Sequence, residues 1–114
     1  MAPLRRALSA LALAMGVACT SPTLPLPPPT APTITAGTEP GTVKLTSVNG
    51  AEPNAIILVI NRDTDLPRDK RVSGTIADEA GTWEVEVPAK TGDVLDIAQD
   101  NGKVRSSTTT VTVR

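Results

Sequence analysis

From residue 33 onward, short runs in which aliphatic and polar residues alternate are separated by clusters of Gly, Pro, Asn and Asp. Alternation with a period of two predicts strands with one buried and one solvated face. Turn clusters at this spacing are typical of a sandwich or barrel, and no helical period extends over ten residues. We therefore predict an all-β domain. Its seven strands are Thr33–Ala36, Thr42–Val48, Ala55–Asn61, Arg71–Ala77, Thr82–Val87, Val94–Gln99 and Val104–Arg114.

The alternation also predicts which side chains of each strand point into the core. The fifth strand gives the clearest pattern, with Trp83 inward and Glu84 facing water. Gly74 interrupts the fourth strand and marks a candidate bulge. The side chains predicted to point inward from these strands are Val43, Leu45, Val72, Ile76, Trp83, Val85, Val87, Leu95, Ile97, Val111 and Val113.

The third strand is aliphatic at every position from Ile56 to Ile60. We predict that Ile57 and Val59 point inward, which leaves Ile56, Leu58 and Ile60 on the outer face. Three branched side chains in water suggest coverage by a protein partner, a dimer mate or an adjacent loop, so they form a candidate interaction face. The pattern favours the alternative that Leu66 or the first strand covers them inside the domain, because central strands of a sandwich are often aliphatic throughout.

The polar loop of residues 61–70 contains three aspartates, Asp63, Asp65 and Asp69. They form a candidate binding loop for a glycan or for calcium. An EF-hand would need glycine where Arg68 stands and a closing glutamate where Gly74 stands. The basic residues of the loop also neutralise its acids, so the pattern favours a solvated loop and predicts no metal site.

A second acidic feature is the pair Glu84 and Glu86 on the fifth strand. Glycosidase carboxyl groups lie about 5–9 Å apart across a cleft, and this pair meets the distance. A flat strand face offers no cleft, however. We therefore interpret the pair as part of a solvated sheet surface.

The amino-terminal segment has the features of a secretory signal. Arg5 and Arg6 precede an apolar run, Ala7–Val17, which is too short for the roughly 20 residues that a membrane-spanning helix needs. Small residues, Gly16 and Ala18, follow at the position where a signal peptidase cleaves. Residues 1–18 are therefore predicted to be a signal peptide.

The end of this segment, Gly16-Val17-Ala18-Cys19, resembles the lipobox of bacterial lipoproteins. The family prefers leucine where Gly16 stands, whereas Val17, Ala18 and Cys19 fit. The resemblance implies cleavage between Ala18 and Cys19, a diacylglycerol thioether on Cys19 and membrane attachment through that lipid anchor. Thr20, where the family's inner-membrane proteins have aspartate, implies the outer membrane. The alternative is plain secretion with Cys19 as a free thiol.

Residues 19–33 are predicted to be a tether, since Ser21–Thr33 is nearly half proline and should adopt an extended polyproline conformation. At ~3.1 Å per residue, this segment would hold the following domain, residues 34–114, about 30–40 Å from the membrane. A PxxP-type docking site is the alternative, which the position next to an anchor disfavours.

The amino-acid composition and the net charge argue against several classes of function. The formal charge is −1, and it becomes −3 once the two arginines of residues 1–18 are removed. That balance, with no Phe or Tyr and a single Trp, argues against nucleic-acid binding. The chain has no histidine, and Cys19 is committed to the anchor, so the commonest catalytic bases, nucleophiles and metal ligands are missing. We expect neither an enzyme nor a cofactor.

The carboxyl-terminal half resembles bacterial Ig-like domains. The matching residues are Gly81-Thr82-Trp83, Val85, Val87-Pro88, Gly92-Asp93, Leu95, Ile97 and Ser106. The resemblance implies an immunoglobulin-like sandwich over residues 34–114, without the inter-sheet cysteine pair or tyrosine corner of antibody domains. The resemblance says little about a ligand. Together with the predicted anchor, the expected fold favours a lipid-anchored surface protein acting in adhesion, envelope structure or protein contact.

Overall fold

The computed structural model describes residues 25–114 as two antiparallel β-sheets that enclose one hydrophobic core. The predicted signal peptide, the cleavage site at Ala18 and Cys19, and the start of the tether lie outside the described residues. The elements are β1 (Thr33–Ala36), β2 (Thr42–Ser47), β3 (Ile56–Asn61), α1 (Arg68–Arg71), β4 (Val72–Ile76), β5 (Trp83–Pro88), β6 (Val94–Asp100) and β7 (Thr109–Thr112).

The strands form a three-stranded sheet of order β1-β2-β5 and a four-stranded sheet of order β4-β3-β6-β7. The chain changes sheet after β2, β4 and β5, as expected of a Greek-key sandwich. The predicted all-β, immunoglobulin-like sandwich of seven strands is confirmed. In a constant-type immunoglobulin domain the fourth strand belongs to the other sheet, whereas here β4 lies beside β3.

The core lies between the two sheets and follows the predicted alternation on five of the six strands for which inward residues were predicted. Leu45, Ile57, Leu95 and Ile97 are fully buried. The remaining core members are Val59, Ala77, Trp83, Val87, Ala89 and Val113, with Ile34, Val43, Ala51, Val85 and Val111 partly buried against them. The inward predictions are therefore correct for every strand except β4.

Two buried polar side chains occupy opposite ends of the inner face of the four-stranded sheet, and both are hydrogen-bonded. The amide of Asn61 donates to the carbonyl oxygen of Pro88, at 3.1 Å, and to Asp93 Oδ2, at 2.9 Å. At the other end, the amide of Gln99 donates to the carbonyl oxygen of Pro27 at 2.8 Å and accepts from the backbone N–H of Glu52 at 2.7 Å. Because these groups are paired, their burial carries no unsatisfied-donor penalty.

The prediction that Val72 and Ile76 point into the core is wrong. These side chains are 54% and 67% exposed. The reason is the pairing with β3, in which Val72 lies opposite Ile60 and Ile76 lies opposite Ile56. Residues directly opposite each other share a face of the sheet, so both side chains project outward.

The predicted bulge at Gly74 and the predicted length of the seventh strand are also wrong. Gly74 lies directly opposite Leu58 in an uninterrupted ladder. On β7 the ladder is interrupted instead: Ile97 lies opposite Thr109, but Asp100 lies opposite Arg105. One extra residue on the β7 side separates these pairs, which confines the strand to Thr109–Thr112.

The proline-rich segment contacts the domain over part of its length. Leu26 is 7% exposed, and Pro29 is buried. The backbone N–H of Thr30 donates to the carbonyl oxygen of Gly50 at 2.8 Å, and the hydroxyl of Thr109 donates to the carbonyl oxygen of Pro29. Residues 26–30 therefore pack on the sandwich. The expected reach of the tether was too long, because only the residues before Leu26 remain available as a spacer.

Candidate interaction face and polar loop

The outer face of β3 and β4 carries a cluster of aliphatic side chains. We call Ile56, Leu58, Ile60, Val72 and Ile76 the β3–β4 face. Ile56 and Ile60 are 43% and 42% exposed, and Leu58 is half-buried. The cross-strand pairs Ile56–Ile76 and Ile60–Val72 make the cluster continuous over both strands.

The side chains of β4 have the reverse of the usual sandwich polarity. Ser73 and Thr75 lie opposite Val59 and Ile57, on the side of the core, while the large aliphatic residues project outward. A strand that covers its own core normally places its aliphatic residues inward. The β4 sequence therefore favours burial of the outer face by something beyond residues 25–114 over burial inside the domain.

Polar residues border the β3–β4 face on its β6 side. Ile60 lies opposite Asp96 and Ile56 lies opposite Asp100. Asp96 accepts two hydrogen bonds from the guanidinium of Arg62, at 2.7 and 2.8 Å, and one from the Thr110 hydroxyl. The hydrogen bond from Arg62 lowers the pKa of Asp96, so this border is charged at neutral pH. The apolar surface thus extends toward the β4 edge only.

The alternative that β1 or Leu66 covers these residues inside the domain does not hold for the two exposed isoleucines. β1 pairs with β2 in the opposite sheet. Leu66 is half-buried, yet Ile56 and Ile60 stay more than two-fifths exposed. That a protein partner binds this face stays a prediction.

The loop that joins β3 to β4 does not bring its three aspartates together. Asp63 forms an ion pair with Lys90, with Oδ2 and Nζ 2.5 Å apart, and its Oδ1 accepts from the backbone N–H of Asp65. The side chain of Asp69 lies on α1, a single exposed turn that was predicted as loop and as the start of the fourth strand. Among residues 25–114, no group of three or more His, Cys, Asp or Glu side chains could hold a metal ion.

A polar network attaches this loop to the turn between β5 and β6. Asp93 Oδ2 accepts from Asn61 at 2.9 Å and from the backbone N–H of Lys90 at 3.0 Å. Burial by itself would raise the pKa of Asp93, but these hydrogen bonds and the charge of Lys90 outweigh it, so the pKa lies below its usual value. The hydrogen bond from Lys90 likewise lowers the pKa of Asp63. The carboxylates of Asp63 and Asp93 therefore stabilise the loop, and both already accept hydrogen bonds from groups of the domain.

Arg71 fixes the other half of the loop. Its guanidinium donates to the carbonyl oxygens of Leu66, at 2.7 Å, and Thr64, at 2.6 Å. Sequence reasoning treated the basic residues of the loop only as neutralising charges. The structure shows instead that Arg71 links the backbone of the loop to the start of β4.

The two glutamates of β5 differ in role. Glu84 is exposed, with Lys44 as an ion-pair neighbour at 3.9 Å. Glu86 accepts hydrogen bonds from the hydroxyls of Thr38 and Thr42, at 2.9–3.0 Å, and from the backbone N–H of Thr38. The Thr38 hydroxyl lowers the pKa of Glu86. Glu86 therefore holds the β1–β2 turn in place, a contact that the prediction of a solvated face missed.

Val72 and Ile76 belong to the candidate face but were assigned to the core from sequence. Their spacing of four residues is compatible with either face, so only the pairing register with β3 distinguishes the two. Ser73 and Thr75, which lie between them, gave no indication that Val72 and Ile76 point away from the core. One sequence feature could have indicated the outward orientation of Val72 and Ile76. β3 is aliphatic at every position, so its outward side chains call for aliphatic neighbours on the adjacent strand.

No family model, curated protein or solved structure matches this chain. Within residues 25–114, no helix has the length and hydropathy needed to span a bilayer. The fold and the exposed face define a small immunoglobulin-like sandwich with an unpartnered aliphatic surface. Its kinship with bacterial Ig-like domains stays a prediction from the residues that resemble them.

Proposed function

We propose that this protein is a non-enzymatic lipoprotein of the bacterial cell envelope that presents an immunoglobulin-like module for protein contact. The observation that carries the contact role is the β3–β4 face, an exposed aliphatic surface on a domain whose core is otherwise complete. The anchor is supported by the lipobox-like residues Gly16–Cys19 and the outer membrane by Thr20.

The free energy available at this face is large enough to matter. Fully burying a valine or isoleucine side chain contributes about 1.5–3 kcal/mol. Four side chains of the face are 42–67% exposed. Covering them would therefore contribute about 3–6 kcal/mol before the costs of association. Exposed aliphatic clusters that reach a sheet edge mark contact surfaces in stable proteins.

The tether changes how the module is held. Because residues 26–30 pack against the sandwich, the spacer between Cys19 and the domain is the six residues 20–25. In an extended conformation it spans about 20 Å. The module would then act close to the membrane surface, which favours partners within the envelope over distant ones.

Lipid attachment is tested by the intact mass of the mature protein extracted from membranes of a Gram-negative host. We expect a polypeptide that begins at Cys19 and carries a diacylglyceryl group and an amide-linked acyl chain, as the lipobox-like residues imply. The matched variant Cys19→Ser should remain uncleaved and unacylated. An unmodified protein free in the medium would contradict the assignment of the anchor.

Protein contact is tested with a photo-crosslinking amino acid placed at Ile60 on the β3–β4 face, in intact cells. The matched control position is Glu84, which is exposed on the opposite sheet. We expect adducts of discrete mass from position 60 and none from position 84. Equal labelling at the two positions, or none at position 60, would contradict a contact role for this face.

A further inference from the structure

β4 forms an open edge of the four-stranded sheet. Within residues 25–114 it pairs only with β3, so the backbone groups on its other side have no strand partner. Natural edge strands are usually protected from pairing by charged residues, proline or a bulge. The five residues of β4, Val72-Ser73-Gly74-Thr75-Ile76, include no charge and no proline, and the ladder has no bulge.

Exposure on the β3–β4 face increases toward this edge. Ile56 and Ile60 on β3 are 43% and 42% exposed, while Val72 and Ile76 on β4 are 54% and 67% exposed. The residues of β4 have a strand neighbour on one side only. A further strand beside β4 would supply the missing cross-strand neighbours.

The charges that flank β4 are complementary to each other. The residues before it, Arg68–Arg71, include three basic side chains and Asp69, a net charge of +2. The residues that follow, Asp78 and Glu79, carry −2. If a second copy of β4 lies antiparallel to the first, each basic flank meets the acidic flank of the other copy. This self-complementarity favours a second copy of this chain as the strand that pairs with β4.

We propose that β4 pairs with β4 of a second copy about a twofold axis at Gly74, which joins the two four-stranded sheets into one sheet of eight strands. In this register Val72 of each copy lies opposite Ile76 of the other, and the two Gly74 residues face each other. In this register each outward residue of one copy lies opposite an outward residue of the other, so the outward residues of both copies share one face of the joined sheet. This inference goes beyond the proposed contact role: it gives the open edge of β4 a partner and sets Val72 and Ile76 of the two copies side by side, while Ile56 and Ile60 on β3 stay on the open outer face.

Single cysteines introduced into the full Cys19→Ser chain, which has no other thiol, test the register through disulfide formation under mild oxidation. Residues directly opposite in an antiparallel pair lie about 4.5–5.5 Å apart, within the range of a disulfide. We expect Gly74→Cys to form a dimer with itself. Val72→Cys or Ile76→Cys alone should not, since each residue is about 13 Å from its own copy, but the two variants mixed should cross-link. The mixed pair tests the register even where Gly74→Cys fails to fold.

Three controls accompany this test. The Cys19→Ser chain with no added cysteine, and Thr110→Cys on β7 at the opposite edge, should give no dimer. Ile76→Lys, placed either in the Val72→Cys chain before it is mixed with Ile76→Cys or in the Gly74→Cys chain, should lower dimer yield at least about tenfold. Val48→Lys, at a valine that is 73% exposed outside β4, should leave it unchanged.

The outcomes separate this inference from the proposed function. Self-pairing is overturned if neither Gly74→Cys nor the mixed pair cross-links, and the register is overturned if Val72→Cys or Ile76→Cys cross-links alone. Adducts from position 60 to a different protein, without disulfide dimers, would retain the contact role and exclude a second copy as the partner. The absence of both would overturn both proposals.

Discussion

Replacing Ile57 by alanine should lower the free energy of unfolding by about 2–5 kcal/mol, the range for a fully buried aliphatic side chain that leaves a cavity. Ile57 has no exposed surface and belongs to the core between the two sheets. Its neighbour Ile56 is 43% exposed on the opposite face of the same strand. Ile56→Ala removes the same atoms and should cost about 1 kcal/mol or less.

The pair is measured by urea unfolding followed through the fluorescence of Trp83, the single tryptophan, which is 2% exposed in the core. Both substitutions lie in one strand and remove identical groups. The change in strand propensity is therefore the same in both variants and largely cancels in the difference between their free energies of unfolding. Equal costs for Ile56→Ala and Ile57→Ala would mean that the inner and outer faces of β3 are wrongly assigned. The assignment of Ile56 to an exposed β3–β4 face would then have no support.

Gly81→Ala is expected to be the most damaging substitution at a turn. Gly81 has φ +79°, and a Cβ there would lie 2.0 Å from the carbonyl oxygen of Ala51. The carbonyl of Gly81 also accepts a hydrogen bond from the N–H of Ala51 at 3.1 Å, so the two backbones cannot separate freely. A left-handed backbone costs an alanine about 1–2 kcal/mol, and overpacking adds about 1–3 kcal/mol.

Gly92→Ala is the matched control for this substitution. Gly92 has φ +93° but nothing within 4 Å of the added Cβ. It should therefore cost only the backbone contribution, about 1–2 kcal/mol. The difference between the two variants in urea unfolding measures the close approach of Gly81 to Ala51. A difference below about 0.5 kcal/mol, which is within the usual scatter of surface substitutions, would show that this approach relaxes without cost.

The alternation of residues predicted most strands to within two residues of their ends because each predicted face had a core to bury against. Trp83, Val87, Leu95 and Ile97 are buried as expected. The seventh strand was predicted too long, since its threonine-rich pattern continues through the extra residue that interrupts the ladder before Thr109. A local pattern contains no information about such an insertion, which depends on pairing with a distant strand.

In the candidate site, too, some residues were predicted correctly from local alternation, whereas the contacts with distant parts of the chain were not. Ile56 and Ile60 were assigned to the outer face correctly, because successive side chains of a strand alternate between its faces and Ile57 and Val59 take the core positions. Asp63 of the binding loop was not recognised as the partner of Lys90, nor Asn61 as the partner of Asp93, because Lys90 and Asp93 come from the distant turn between β5 and β6. Nor could proline content show that residues 26–30 contact Gln99 and Thr109 on the sandwich.

The sequence by itself determined the all-β class, the number of strands and the inward residues of five of them, since side-chain periodicity and turn residues act locally. It also contains the lipobox-like residues on which the predicted anchor depends. Only the tertiary structure decided that β4 lies beside β3 and that Val72 and Ile76 therefore project outward beside an open edge. The physical reason is that a four-residue spacing fits either face of a strand, and the register of hydrogen bonds with a neighbour selects one.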